Sequence, residues 1–422
     1  MVRSLWFSLL NMLALTSSPM PYGRNVTDGA GYRTWVLLSR IAKDVNVSIL
    51  SLYEDMYKME AAEQTEEDRL RVIPTRCSRR AISRCIDEFQ PDVIYVGSWP
   101  LSIFLPRTHA ISLIDFVGPS LLENTYLGRY PVSVAARLKA EAFSNADLVL
   151  CANERLRYYL MGFLLSRGIQ KPPDSIQVIP MAPPAEPPKK SVDYGRMKPE
   201  GQFVVLVAGS LNPWYDYETI FKAVNEMRDL DLQVVFMGDN PTTVKVDVKR
   251  QLIDLASKYD LRDRTTITGP VPFKERRNYY LQADIGLNLA GDSWEDELSS
   301  RARLVDYLWA GLPIITSGRD YISKLATDNN RASYFAPRDC ARLSQLIRRV
   351  LSEKSRASSS GEGASKVLET LDLDRYVPQL IKFLSQLTKV ERRPSLLCDL
   401  SYCAFLLKHS RWPGRALPTG PL

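Results

Sequence analysis

Along most of the chain short, unbroken apolar runs alternate with longer stretches of mixed polarity. Val45 to Tyr53, Val93 to Val96, Ala110 to Ile114, Ala146 to Cys151 and Ile176 to Pro180 read as strands buried on both faces. Helices are predicted between them, from the Asp28–Arg33 loop to about Lys43 and over Ser78–Phe89, Arg137–Ser144 and Leu156–Arg167. The alternation then restarts. Strands are expected at Phe203–Ala208, Leu232–Met237, Thr265–Gly269 and Ile285–Leu289, with helices at Tyr217–Met227, Val248–Tyr259 and Phe273–Leu281. Strand–helix alternation in two blocks predicts an α/β fold of two doubly wound parallel sheets. Glu60 to Val72 is charged and poorly periodic, so it is expected to be a solvated excursion.

The join between the blocks is visible in composition. Met181 to Lys190 is rich in proline and builds neither helix nor sheet. The expected organisation is a first domain over 1–182, a linker over 183–200, a second domain over 201–388, and a C-terminal helix and basic tail over 389–422. The apolar run Leu5 to Leu15 reads either as a short signal peptide or as the first strand. The glycine-bearing loop and helix downstream need a strand before them, which favours the strand. Leu371 to Leu387 is expected to be a helix kinked or restarted at Pro378. In the tail, apolar residues followed by Lys408, Arg411 and Arg415 read as a closing helix or as a peripheral membrane contact.

The segment Trp294 to Pro313 concentrates the candidate chemistry. Leu304, Tyr307 and Leu308 recur at helical spacing and Gly311-Leu312-Pro313 ends the pattern, which predicts a helix from about Ser299 to Ala310. Glu297 then lies just before the helix and Asp306 in its middle, both directed into a cleft. Ser299, Arg301 and Arg303 at its N-terminal side suit a phosphate. Gly29 and Gly31, between the first strand and its helix, suit an anion in the same way. Asp115 comes at a strand end, where open α/β sheets place their ligands.

Composition narrows the partners. A chain of 422 residues suits two domains, and a net charge of +7 with a pI of about 9.0 favours anionic partners such as nucleotide diphosphates or lipid phosphates. No basic stripe with interleaved aromatics marks a nucleic-acid binder. Six cysteines without C-x-x-C pairs and only two histidines argue against a zinc site, a disulfide framework or a His-based triad, and fit a reducing compartment.

The stretch ending in Asp306-Tyr307-Leu308-Trp309-Ala310-Gly311-Leu312-Pro313 resembles the donor-site segment of GT-B fold glycosyltransferases, in the retaining group that includes glycogen synthase and sucrose synthase relatives. Gly209 with Trp214, Asp216-Tyr217 and Thr219, then Gly238-Asp239, Gly269-Pro270-Val271-Pro272 and Ala283-Asp284, are spaced as in that group's donor domain. The resemblance implies two Rossmann-like domains facing across a cleft, the first on the acceptor side. It implies transfer of a sugar from a nucleotide-diphosphate sugar to a glycan, lipid-linked or small-molecule acceptor, with retention and without a metal or other cofactor. The family pattern E-x7-E appears here as Glu297-x8-Asp306. Asp306 takes the position of the ribose-binding residue, and Glu297 or Asp115 that of the carboxylate beside the sugar. Gly209, Ser210, Gly238 and Asp239 complete the implied donor site. The usual Arg and Lys after the domain's first strand are missing, and Arg301 and Arg303 are the substitutes. A cytoplasmic enzyme, or one peripheral at the membrane's inner face, is expected. Two other readings stay open: an inactive relative serving as a binding or scaffold subunit, and a sugar-nucleotide epimerase.

Overall fold

The computed structural model describes residues 10–23, 25–54, 64–128, 131–144, 146–190, 201–239, 247–354 and 362–387. The first unit runs β1 (Asn11–Thr16), α1 (Gly29–Ile41), β2 (Asn46–Tyr53), β3 (Thr65–Glu67), β4 (Leu70–Arg76), α2 (Arg79–Phe89), β5 (Val93–Val96), β6 (Ile111–Phe116), α3 (Ser120–Leu127), α4 (Val132–Ser144), β7 (Leu148–Cys151), α5 (Glu154–Leu165) and β8 (Ile176–Val178). Its strands form one sheet in the order β3-β4-β2-β1-β5-β6-β7-β8, parallel except for the antiparallel edge strand β3. The second unit runs β9 (Phe203–Ala208), α6 (Tyr217–Asn225), β10 (Leu232–Met237), α7 (Val248–Lys258), β11 (Thr265–Gly269), α8 (Phe273–Gln282), β12 (Ile285–Asn288), α9 (Trp294–Leu298), α10 (Ala302–Trp309), β13 (Ile314–Thr316), α11 (Tyr321–Asp328), β14 (Ala332–Tyr334), α12 (Cys340–Lys354), α13 (Glu362–Thr370) and α14 (Val377–Gln386). Its strand order is β11-β10-β9-β12-β13-β14, parallel throughout.

The apolar runs become strands because both faces of a parallel sheet are covered by helices. β5, β6 and β7 are buried along their whole length. In each sheet the chain order reverses at one place, between β1 and β5 and between β9 and β12. A crevice opens outside the carboxyl ends of the strands at such a point. Each unit thus offers a crevice, and a cleft lined from both runs between them.

The second reversal is plugged by Tyr307 of α10. Its hydroxyl donates to Leu206 O at 3.1 Å and accepts from the Ala208 N–H at 2.8 Å. Gly286 on β12 lies under the ring, where an added Cβ would stand 2.5 Å from the ring carbon Cδ2. The ring is tethered and the strand is paired on both sides, so neither relaxes easily. Gly286→Ala is therefore expected to destabilise the fold by about 1–3 kcal/mol, read as a lower urea midpoint at unchanged slope.

Several expectations are corrected. The charged stretch 60–72 carries β3 and the start of β4; β4 buries Leu70 and Val72 against the sheet while its charged neighbours face water. The helix expected from Ser299 to Ala310 is two helices, α9 and α10. Ser299 is extended and its hydroxyl donates back to Glu295 O at 2.7 Å, which ends α9, and α10 begins at Ala302. Of the two readings of Pro378 the restart is the one observed: it sits in the first turn of α14, where its missing N–H costs nothing. This helix packs on α1 of the first unit, and Arg40 and Lys43 approach Asp374 just before it. The segment after the second sheet thus returns to the first. The signal-peptide alternative for residues 1–9 and the proposed membrane-contact tail lie outside the described residues; β1 accounts for Asn11–Thr16. Among the described residues no helix is long and apolar enough to cross a membrane.

Candidate active site

The cleft between the units has a volume of about 490 Å³. Its walls are strand ends: Pro19 after β1, Val117 and Gly118 after β6, Gly209 and Ser210 after β9, Gly238 and Asp239 after β10, and Pro270 and Val271 after β11. Thr27, Asp28, Gly29 and Ala30 bring the first turn of α1 into the same wall. Asp28 caps that helix, accepting from the Gly31 N–H at 2.7 Å. A Cβ at Gly31 would collide with the Pro19 carbonyl, so the loop lies flat on the helix start. The glycine loop expected to take an anion is on the cleft, with Gly29 lining it and Gly31 behind it.

Opposite, two glycines let the backbone of the second unit form the floor. Gly209 has φ +92° and Gly238 φ +144°, values open to glycine and costly for other residues. A Cβ at Gly238 would strike the Gly209 carbonyl, so the ends of β9 and β10 touch there. The expected residues Gly209, Ser210, Gly238 and Asp239 all line the cleft.

The charged groups are arranged differently from the expectation. Glu295 on α9, not Glu297, forms part of the cleft. Its carboxylate accepts from Arg301 at 2.6 and 3.0 Å and from the Ser299 hydroxyl at 2.8 Å. Arg301 also meets Asp296 at 3.3 Å and lies over the Tyr215 ring. Glu297 points to the join between the units. It pairs with Arg155 at 3.3 Å and Arg319 at 3.0 Å, while its carbonyl takes a further bond from Arg155. Asn153 beside it donates to Leu298 O and to the Ser300 hydroxyl. The break at Ser299–Arg301 changes the helical phase, so Glu295 and not Glu297 faces the cleft.

Asp306 was expected to hold the ribose. It sits in α10 as anticipated, yet only 2% of it is exposed and it does not line the cleft. It accepts from the Tyr280 hydroxyl at 2.8 Å and lies 3.6 Å from Arg276, with Tyr32 of the first unit against it. Burial raises its pKa against the pull of Arg276 and the two hydroxyls. The group that reaches the cleft here is Arg276. Arg276 also stacks on Phe273 at 4.5 Å and Tyr32 at 5.6 Å, so residues of both units hold it. The sequence reading passed over Arg276. Its only signal was an arginine one turn into the helix after Gly269-Pro270-Val271-Pro272.

Asp115 is not on the cleft. It ends β6 as expected, but turns into the first unit and accepts from Arg33 Nε and from the Tyr95 hydroxyl, both at 2.7 Å. Arg303 lines the back of the floor, donating to Ser210 O at 3.0 Å and stacking on Tyr215 at 4.7 Å. Arg276 Nε, Arg301 Nε and Arg303 Nη1 are each buried with no acceptor among the described residues. Three guanidinium groups with spare donors fit an anion better than a neutral ligand. Among the described residues no group of three or more His, Cys, Asp or Glu side chains is placed to hold a metal ion.

Beneath Glu295 the carboxylates outnumber the cations. Asp296 accepts from the Arg319 N–H at 2.7 Å and Asp320 from the Arg301 N–H at 3.3 Å, both buried. Burial pushes the Asp296 carboxyl up to about 6, with Asp320 adding repulsion and Arg301 opposing. A carboxyl whose pKa rises on folding binds its proton more tightly in the folded state. The stability this proton contributes is present at acid pH and is lost as the pH rises from about 4 to about 6. Asp296→Asn is expected to gain stability relative to wild type across that window, by on the order of 2–3 kcal/mol in the difference, and to hold the gain above it. Thermal melts of both proteins at several pH values read this directly.

Comparison with known proteins agrees with this architecture. Residues 195–367 match the family model for glycosyl transferases group 1. Sucrose-phosphate synthase from Thermosynechococcus elongatus superimposes with a TM-score of 0.69 at 14% identity, over 89% of this chain and 98% of that one. Anabaena HepE in complex with UDP and glucose gives 0.62 at 13% identity, over 90% and 100%. The pneumococcal O-GlcNAc transferase GtfA in complex with UDP and GlcNAc gives 0.59 at 9% identity, over 90% and 99%. No curated protein matches the chain in sequence. Two sheets meeting at a cleft, superimposable on these structures over most of the chain, give it the GT-B fold, and residues 195–367 match the glycosyl transferases group 1 model.

Proposed function

We propose that the chain transfers a sugar from a nucleotide-diphosphate sugar, bound against the second unit, to an acceptor that enters from the first. The observation that carries this reading is the gathering of Arg276, Arg301, Glu295 and the glycine floor Gly209–Gly238 around one cleft. The close backbone at Gly209 and Gly238 admits a flat nucleoside. Arg276 and Arg301, with Arg303 behind them, offset the charge that grows on the diphosphate as it leaves. Glu295 lies beside the sugar and favours the positive charge that develops at its anomeric carbon. HepE and GtfA in their UDP complexes share this fold, which makes a uridine donor the first to try. In the step itself the acceptor oxygen bonds to the anomeric carbon while the bond from that carbon to the phosphate oxygen breaks. The electron pair leaves with the diphosphate, and the acceptor proton passes to a phosphate oxygen on the same face. Configuration is then retained. Because arginines carry the leaving group, turnover should persist in excess chelator.

Two measurements test this. The anomeric coupling constant of the product, read by proton NMR, should match that of the donor; inversion would rule the step out. Arg276→Ala should raise the donor KM about 10- to 100-fold, as expected for a lost charge-assisted hydrogen bond to phosphate. An unchanged KM would remove Arg276 from the site.

A further inference from the structure

The mouth of the cleft carries a feature that donor binding does not use. Trp214, in the loop between β9 and α6, lines the cleft from the second unit, and its ring meets that of Tyr126 on α3 of the first unit at 5.4 Å and a 34° tilt. Tyr126 is 46% exposed, large for an aromatic in contact with another ring. The indole Nε1 of Trp214 is buried and has no acceptor among the described residues. An unpaired buried donor in a cleft wall costs stability unless a ligand completes it. Glu123 lies three residues before Tyr126 and Leu127 one after it, so the three share one face of α3, and Glu123 and Leu127 both line the cleft.

We propose that Glu123, Tyr126 and Trp214 form the acceptor subsite and that the acceptor presents a pyranose ring there. This rests on the transfer reading above. A pyranose has a face of C–H bonds, weakly positive, and a rim of hydroxyls. The first packs on the negative face of an aromatic ring, and the second suits a carboxylate and an indole N–H. An alkyl chain would satisfy the aromatics and leave the indole N–H unanswered. The subsite is shared between the units, so a sugar seated on it touches both.

Saturation-transfer NMR on the full chain tests this. The probes are the methyl glucopyranosides, galactopyranosides and mannopyranosides and, as an apolar control, octanol, each with UDP, GDP or ADP present in turn. Transfer to the ring C–H protons of at least one pyranoside is expected. It should weaken about tenfold in Tyr126→Ala, the loss of one good contact. Trp214→Phe, which keeps a ring and removes the N–H, should fall between. Tyr126→Ala should keep the thermal shift produced by the nucleotide. No transfer to any pyranoside, transfer to octanol alone, or transfer unaffected by both substitutions would overturn the subsite. A nucleotide shift without pyranoside contact would sink this inference and leave the donor reading intact. Pyranoside contact without any nucleotide shift would sink the donor reading and the acceptor role with it, leaving a sugar-binding site.

Discussion

Glu295→Gln is expected to lower kcat on the order of 10²- to 10³-fold while leaving the protein folded, the usual scale for removing one preorganised electrostatic partner from a transition state. The substitution keeps the size of the side chain and its acceptor oxygen for the Ser299 hydroxyl. What it removes is the negative charge at the edge of the cleft. Arg301 keeps Asp296 at 3.3 Å, so its buried charge is not left alone. The two roles open to Glu295 separate in the measurement. If the carboxylate faces the sugar, kcat falls and the donor dissociation constant changes little. If it serves only to hold Arg301, the donor affinity and melting temperature fall and kcat follows them. Glu297→Gln gives the contrast, since its partners are Arg155 and Arg319 at the join between the units.

Asp115→Ala is expected to act on stability by about 3–5 kcal/mol, the scale for breaking a buried ion pair from one side. Arg33 is itself buried, and among the described residues it otherwise donates to the Ile179 and Pro180 carbonyls. Removing the carboxylate leaves a full positive charge inside the first unit and strips the Tyr95 hydroxyl of its acceptor. Urea unfolding should show the loss. The catalytic role expected from the sequence predicts the opposite pattern, an unchanged midpoint with a large fall in kcat. Arg33→Met with Asp115→Leu, which removes both charges together, should recover much of the stability if the pair is structural.

The buried strands were legible because a parallel sheet covered on both faces demands unbroken apolar runs, and Val93–Val96 or Phe203–Ala208 are such runs. The glycines of the cleft floor were legible for a related reason: Gly209 and Gly238 stand at strand ends, where the chain needs a conformation few residues reach. The edge of the first sheet was not. β3 pairs only with β4, faces water and carries the charges of a loop. The acidic segment misled for a geometric reason. Its residues were read on one continuous helix, whereas three residues between α9 and α10 leave the helical track. That turned Glu295 into the cleft and Glu297 out of it. Asp306 kept its helix but was covered, because Tyr280, Arg276 and Tyr32 come from segments far away in sequence. Long-range partners of this kind leave no trace in local spacing. Glu295 had one local clue, an arginine six residues on with a serine between, which fits a carboxylate held in place.

The claim on which the rest stands is that this cleft holds a nucleoside diphosphate and its sugar. Isothermal titration calorimetry of the full chain with UDP, GDP and ADP, and then with the corresponding sugar nucleotides, tests it most directly. Saturable binding of one base at one site per chain is predicted, weakened by Arg276→Ala and nearly unchanged by Asp115→Asn. Absence of heat and of thermal shift with all three nucleotides, in a protein that melts cooperatively, would contradict it and leave a GT-B fold that serves as a scaffold.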